Sequence, residues 1–422
     1  MTARQIDKAL EREKVLFEEK CRTGQVLDGS IRLSDFIDLW FRDYAEKQLR
    51  KTTVDGYRKC LKRVLPALGH IRLNKLQPHH LMEFYANLAE PGIRETNTVL
   101  CTPKVKAAMQ EKGWSGAELG RQTGLTRARI SSMLSGKAVS ETTAHSIAKA
   151  LELPLDQAFK PAKLPEPLTG NTVNHYHRFL STVLSCAVQW QVIFSNPCER
   201  VKPPKIERKE TAYLDEEQAR QLLAALDHED IQHKTIVYTL LQTGLRRGEL
   251  CGLEWDDVDM EKCVLHVRRS SLYLPSEGIF TDETKNRSSE RTIQIPVELV
   301  QILRSYRAWQ NERRLAAGDR WQDSGRIFTS WDGAPIFPNS ITHWFTNFIQ
   351  RNGLPPITLH GLRHTSATLL IAAGTNIRTV SARLGHSQTS TTMNIYAHAI
   401  QSADAAAAET LGNILNPTKK RA

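Results

Sequence analysis

Two proline-rich stretches, KPAKLPEPLTG at 160–170 and SNPCERVKPPKIERKE at 195–210, cut an otherwise helical pattern into separate pieces. Proline fixes φ and removes an amide donor, so neither stretch continues a helix. Ahead of the first, apolar residues recur at helical spacing over 31–49, with Ser34 placed to cap the segment. Further helices are expected over 52–68, ending at Gly69, and over 77–90, starting behind Pro78 and stopping before Pro91-Gly92. Residues 1–30 read as a charged helix followed by a glycine-containing loop.

Residues 100–160 carry their own punctuation and read as a separate module. The helix VKAAMQEK ends at Gly113, Ser115 caps GAELGRQ, and Gly124 makes a tight turn. Thr126 then caps RARISSML, and Ser140 caps ETTAHSIAKALEL, closed by Pro154. Helical periodicity resumes at NTVNHYHRFLSTVLSCAVQW, so a first helical domain is interrupted by the module and completed after it. From Thr211 the pattern is mixed. Helices are expected over 214–226, 233–244, 247–255, 298–314, 340–353, 361–374, 377–386 and 390–399. CVLHVRRS alternates as a strand, and FTDETKNRSSERTIQIP reads as two strands joined by a polar turn.

At 422 residues the chain is too long for one ordinary domain. With 40% hydrophobic and 24% charged residues it can build real cores. A net charge of +11 favours an anionic polymer as partner, because each phosphate neutralised releases counterions. The seven cysteines are scattered with no C-x-x-C pair, which fits a reducing cytoplasm rather than a disulfide framework or a zinc site. The start MTARQIDKALEREK has no apolar core and is not read as a signal peptide. The apolar stretch at 367–373 is too short to span a bilayer, so no membrane partner is expected. No G-x-x-x-x-G-K-[ST] loop is present, and H-G-L-R-H at 360–364 lacks the glutamate of a zinc protease, so neither a nucleotide nor a metal is expected.

Five segments of the C-terminal half carry the chemistry. They are TGLRRGELCGLEW with Arg246, TKNRSSERTIQIP with Lys285, LHGLRHTSATLL with His360 and Arg363, RLGHS with His386, and TTMNIYAH with Tyr396. Two arginines suit a phosphodiester, because the planar guanidinium donates charge-assisted hydrogen bonds in pairs to phosphate oxygens. A tyrosine is a weak nucleophile at its ordinary pKa near ~10 and needs activating neighbours. His360 titrates near neutral pH and sits three residues before Arg363, so both project from one helix face. Glu249, one turn after Arg246, is placed to hold that guanidinium. Each of these residues alone has a bland alternative, such as a tyrosine packed on its helix; the ordered set is what carries the reading.

In order, wording and spacing these segments resemble the catalytic domain of the tyrosine recombinase, or phage integrase, family over roughly 211–400. The wording is nearest to integrases of conjugative transposons and related phages. The resemblance implies Tyr396 as the nucleophile and Lys285, Arg246, Arg363, His360 and His386 as the rest of the catalytic set. It implies a 3′-phosphotyrosyl link and a free 5′-hydroxyl, with Lys285 protonating the departing oxygen, Glu249 in support, and no metal or ATP.

The resemblance extends to the helical segments. TTVDGYRKCLKRVLPALGHIRLNKLQPHHLMEFYANL and the segment from Asn171 resemble the two halves of the family's core-binding domain. There Lys59, Lys62 and Arg63 share a helix and are candidates for phosphate contact, though a solvated face would use them as well. The module at 101–163 resembles the helix-turn-helix domain of phage Cro and repressor proteins, whose second helix enters the major groove. In that helix Arg127, Ala128, Arg129, Ser131 and Ser132 are candidates for base or phosphate contact; packing or protein contact is the alternative.

The expected architecture is therefore multi-domain and mainly α. Residues 1–30 would be a remnant of an arm-binding region. A core-binding bundle at 31–100 and 164–208 would be interrupted by a helix-turn-helix insert at 101–163. A mixed α+β catalytic domain with a small antiparallel sheet would occupy 209–400, followed by a helix and tail at 401–422. The expected partners are double-stranded DNA attachment sites, three further copies in a tetramer on DNA, and an accessory DNA-bending or excision protein, in the cytoplasm at the nucleoid. Two rivals stay open at this point: a type IB topoisomerase-like relaxing enzyme, and a transcription regulator acting through the insert.

Overall fold

The computed structural model describes residues 11, 29–90, 93, 98–162, 167–206, 212–283, 290–386, 388–395, 411–412 and 415. Lys285, Tyr396 and nearly all of 1–30 and 401–422 lie outside them. The chain divides into two compact units, 1–208 and 209–422.

In the first unit, α1 spans Leu33–Trp40 and continues through a π-helical turn, Phe41–Ala45, to Gln48. Then come α2, Lys51–Leu68, and α3, Pro78–Leu88. The expectation that Ser34 caps α1 is not met. The cap position is Arg32, without a side-chain bond, and the Ser34 hydroxyl bonds Asp35 instead. The reason lies in the main chain: the amides of Leu33 and Ser34 donate to the carbonyls of Ile71 and Gly69 at 2.9 and 3.0 Å, so no hydroxyl is needed.

The insert begins with β1, Thr98–Cys101, followed by α4, Pro103–Glu111, α5, Gly116–Thr123, and α6, Arg127–Leu134. After β2, Val139–Ser140, come α7, Glu141–Leu151, α8, Leu155–Ala158, and β3, Phe159–Pro161. The hydroxyls of Ser115, Thr126 and Ser140 accept from the amides of Glu118, Arg129 and Thr143, each capping the helix expected of it. Gly124 closes α5 at φ 70°. One feature went unread in the sequence: β1 lies between β2 and β3 in an antiparallel sheet, with Cys101 opposite Phe159 and Val99 opposite Pro161. The proline-rich stretch at 160–170 thus contributes two strand residues, Lys160 and Pro161, before it becomes a connection. The insert has its own core, built around Val105, Leu119, Ile130, Met133 and Ile147.

The long helix α9, Gly170–Gln189, follows. Its buried Val173, Phe179, Leu180 and Val183 join Phe36, Trp40, Val64 and Phe84 in one apolar cluster. That cluster draws on residues before and after the insert, so the bundle is completed only when the chain returns. Cys198 and Val201, inside the second proline-rich stretch, are buried in it as well.

The second unit opens with α10, Glu216–Ala225, α11, Ile231–Thr243, and α12, Arg247–Gly252. The buried hydroxyls of Thr235 and Thr239 on α11 donate to carbonyls one turn back, at 2.6 and 2.7 Å, so they add no unpaired polar group to the core. Five strands follow: β4, Val258–Asp259, β5, Val264–Val267, β6, Arg269–Leu274, β7, Gly278–Glu283, and β8, Arg291–Gln294. The sequence suggested that the strands flanking Lys285 pair across a polar turn. They do not: β7 pairs with β6, and β8 pairs with β5 beside β4. Strand β6, of which only Arg269 and Ser270 fall in the expected strand at 263–270, takes the partner that β8 was expected to have. Helices α13, Val297–Ala317, α14, Pro338–Arg351, α15, Leu359–Ala372, α16, Ile377–Leu384, and α17, Thr389–Ile395, complete the unit. Helix α11 packs against both α13 and α15.

Candidate active site

Helix α11 ends at Gly244, whose φ of 66° suits a residue without a side chain. The chain turns there and starts α12 at Arg246. The Glu249 carboxylate accepts from the Arg246 amide at 2.9 Å and from its Nη1 at 2.7 Å. This carboxylate is 4% exposed, while the Arg246 side chain is 40% exposed, so a buried anion holds a cation that faces outward.

The second arginine comes from α15, which is capped by the Thr358 hydroxyl accepting from the Gly361 amide. Arg363 is buried, and its Nη1 donates to the carbonyl of Gly244 at 2.6 Å. Two guanidinium groups from segments more than a hundred residues apart are thus tied to one turn. His360, one turn earlier on α15, is at the surface, and its ring meets that of buried His364 edge-to-face at 4.9 Å. His386 follows Gly385, the left-handed residue ending α16, and shares a 2.8 Å hydrogen bond between Nδ1 and the buried Thr392 hydroxyl. Nη2 of Arg246 reaches the Gly385 carbonyl at 3.4 Å.

The electrostatics follow from this crowding of cations. Burial alone would raise the Glu249 carboxyl, but Arg291 and Arg246 outweigh it and leave the group below its ordinary value. His360 is exposed as a residue, but the partial enclosure of its ring, with Arg363 and Arg246 nearby, lowers it. His364 is pushed down to about 4 by burial, His360 and Arg363. His386 is also pushed down to about 4, by burial and then by Arg363, Arg246, His364 and Arg291. At neutral pH these imidazoles are therefore uncharged, and the positive charge of the site resides in its arginines.

Arg246, Glu249, His360, Arg363 and His386 come together, as these contacts and mutual influences require. For Lys285 and Tyr396 only the flanking chain is described, with β7 ending at Glu283, β8 beginning at Arg291, and α17 ending at Ile395. Sequence reasoning gave no role to Arg291, His364 or Thr392. All three stand in the quoted motifs, and nothing in their spacing says which partners they meet. A cavity of about 610 Å³ lined by Trp309, Trp321, Trp331 and Phe337 shares no residue with this cluster.

On α6 of the insert, Arg127, Ala128, Arg129 and Ser131 are exposed and Ser132 is half-buried. Arg129 Nη2 donates to the Thr143 hydroxyl at 3.1 Å. On α2, Lys59 is exposed and pairs with Asp55 at 2.6 Å, and Lys62 is also exposed. Arg63 turns inward, donating to the Tyr176 hydroxyl at 3.0 Å and the Ile93 carbonyl at 2.7 Å.

Residues 212–402 match the phage integrase family, 32–89 its N-terminal SAM-like domain, and 105–157 a helix-turn-helix family. A tyrosine recombinase XerC-like protein of Caldanaerobacter subterraneus is 32% identical over 268 residues, covering 58% of this chain and 67% of that protein. The chain belongs to the phage integrase family of tyrosine recombinases. The recombinase is also similar to the ICEBs1 integrase of Bacillus subtilis, 27% identical over 61% of this chain and 69% of that one. It resembles the transposase of transposon Tn916 from Enterococcus faecalis, 27% identical over 54% of this chain and 58% of that one. Among solved structures, the Tn1549 transposon integrase in complex with transposon right-end DNA shares the fold, with a TM-score of 0.61 at 20% identity over 89% of this chain and 98% of that one. Members of the family cut and rejoin DNA without metal or ATP. No described helix of the recombinase is long and apolar enough to cross a membrane.

Proposed function

We propose that this recombinase integrates and excises a mobile genetic element at specific double-stranded attachment sites, with Tyr396 as nucleophile. The observation that carries the reading is the meeting of Arg246 and Arg363 at the Gly244 turn, beside His360 and His386. The names of the relatives, an integrase and a transposase of mobile elements, support the choice of substrate.

In this reading the scissile phosphate takes hydrogen bonds from both guanidinium groups, which are aimed where negative charge gathers as the phosphorus adds a fifth oxygen. Neutral His386, held by Thr392, donates a further bond. The phenolic oxygen of Tyr396 attacks phosphorus, and its proton passes to neutral His360. The bond from phosphorus to the 5′-oxygen breaks, and Lys285 protonates that oxygen as it leaves. The strand is left as a 3′-phosphotyrosyl ester and a 5′-hydroxyl. The ester keeps the bond energy, so a 5′-hydroxyl from a second duplex reseals the strand by the reverse steps.

Residues 31–100 and 164–208 serve as the core-binding domain and 209–400 as the catalytic domain. Lys59 and Lys62 face the backbone phosphates. The insert reads a second DNA element through Arg127, Ala128, Arg129, Ser131 and Ser132, standing in for an arm-binding domain. Four copies act on two duplexes, the segment beyond 400 docks on a neighbouring copy, and an accessory DNA-bending or excision protein sets direction. The protein works in the cytoplasm, at the nucleoid.

The test is a trap. A nicked attachment-site duplex, whose short leaving fragment diffuses away, should accumulate covalent protein–DNA, with the modified peptide mapping to Tyr396. Tyr396→Phe should bind the same duplex and form no adduct. An adduct on another residue would overturn the assignment. Relaxation of supercoils without joining of two sites would favour a topoisomerase.

A further inference from the structure

Arg291 opens β8 with its side chain only 7% exposed. Its Nη2 donates to Oε2 of Glu249 at 2.8 Å, and its Nη1 to Oε1 at 3.3 Å. Its Nε donates to the carbonyl of Arg383 at 2.7 Å. The same Glu249 Oε1 holds Nη1 of Arg246, whose Nη2 reaches the carbonyl of Gly385. The contacts close into a ring: Arg291 to Glu249, Glu249 to Arg246, Arg246 to Gly385, and back along the chain through Arg383 to Arg291. Gly385 fits this ring because it has no side chain; a Cβ there would lie 2.9 Å from Nη1 of Arg291, on a backbone already at φ 68°.

A carboxylate held by one exposed arginine could follow that arginine as it moved. Here the second, buried fork engages both oxygens, so Glu249 is held independently of Arg246. We propose that Arg291 is a positioning residue for this reaction, orienting Arg246 through the shared Glu249 carboxylate and the His386 segment through the Arg383 carbonyl. The inference rests on the reading of Arg246 as a group that neutralises the scissile phosphate. It asks nothing of Arg291 at the phosphate itself. Without Arg291, Glu249 becomes a buried carboxylate with half its charge partners gone, and Arg246 is aimed less well at the transition state.

The test compares two substrates on the full-length recombinase: the nicked attachment-site duplex, and the same duplex with a methylphosphonate at the scissile position. The methyl group removes the negative oxygen that a guanidinium neutralises. Arg291→Gln should slow cleavage of the phosphodiester by about 10- to 100-fold, less than the ~10²–10³ typical of losing a direct donor. On the methylphosphonate it should fall within about threefold of the unaltered protein, as Arg246→Ala should. Glu249→Gln combined with Arg291→Gln should be no slower than the worse single variant, because the two act through one contact. Arg291→Lys, which keeps a charge but loses the fork, should show the same substrate preference at a smaller loss, and it carries the test if the glutamine variant does not fold.

Equal losses on both substrates, or additive losses in the double variant, would overturn the proposal. If Arg246→Ala itself loses equally on both substrates, the reading of Arg246 falls and this proposal falls with it. If Arg246→Ala shows the preference and the Arg291 variants do not, only the proposal falls.

Discussion

Nη1 of Arg363 donates to the carbonyl oxygen of Gly244 at 2.6 Å, which pins the second guanidinium of the site two residues ahead of the first. Lysine cannot reproduce a planar fork that bonds the Gly244 carbonyl and still presents nitrogen atoms to a phosphate. Arg363→Lys should therefore lower the cleavage rate by ~10²–10³ while leaving DNA affinity within about threefold. A covalent-adduct time course beside a gel-shift titration checks this, and full activity in the lysine variant would remove Arg363 from the catalytic set.

The histidines predict how stability depends on pH. His364 and His386 sit at about 4 in the folded protein against an ordinary 6.5. Between those values the unfolded chain binds more protons than the folded one, so acid favours unfolding. Their contribution to stability is complete above 6.5 and is lost as pH falls toward 4. The melting temperature of the 209–422 unit in the full chain should drop across that window, and His364→Asn should flatten the drop. A melting temperature unchanged from pH 7 to about 4.5 would count against buried neutral imidazoles at these positions.

The basic residues of α2 should separate into two kinds. Arg63→Ala removes a guanidinium bonded to the Tyr176 hydroxyl and the Ile93 carbonyl, and should cost about 1–3 kcal/mol in chemical denaturation. Lys59→Ala breaks only an exposed pair with Asp55 and should stay within about 0.5 kcal/mol. In binding, the assignment reverses. Lys59→Ala and Lys62→Ala should each reduce the slope of log affinity against log salt by about 1. A slope unchanged in both variants would make that helix face merely solvated.

Removal of the insert should leave the bundle standing. The Ala162 amide donates to the Thr98 carbonyl at 3.1 Å, and the insert core is separate from the cluster that α9 completes. Replacing 98–162 with a short Gly/Ser linker should preserve cooperative melting and cleavage at the core site. Binding to the second DNA element should be lost. Retention of that binding would assign it to another part of the chain.

Local chemistry was readable where it was self-contained. Ser115, Thr126 and Ser140 cap the helices that follow them because each hydroxyl needs only an amide three residues on. Ser34 looked the same and failed, because the helix starts one residue earlier, behind Arg32, and its first amides, those of Leu33 and Ser34, donate to carbonyls of Ile71 and Gly69 from another segment. The strands β1, β2 and β3 are two to four residues long, too short for alternation to show, and β1 pairs with β2 across about forty positions and with β3 across about sixty. The pairing of β7 and β8 was misread because β6, RSSLYL, followed β5 after a single residue and looked like its continuation. In the site, Arg246, His360, Arg363 and His386 were named from motif wording. Arg291 needs the fold, since its partner Glu249 lies 42 positions earlier on α12 and the two meet only in space.

The paired strands at the mouth of the insert bring the chain's departure and return side by side, Leu100 opposite Lys160. To the bundle, a sixty-residue excursion is therefore a detour that ends almost where it began. Any compact unit with neighbouring ends could occupy that socket without disturbing the helices below it. In the proposed reading, the address such an enzyme reads on DNA is then exchangeable as a cassette, while the chemistry assigned to Arg246 and Arg363 stays as it is.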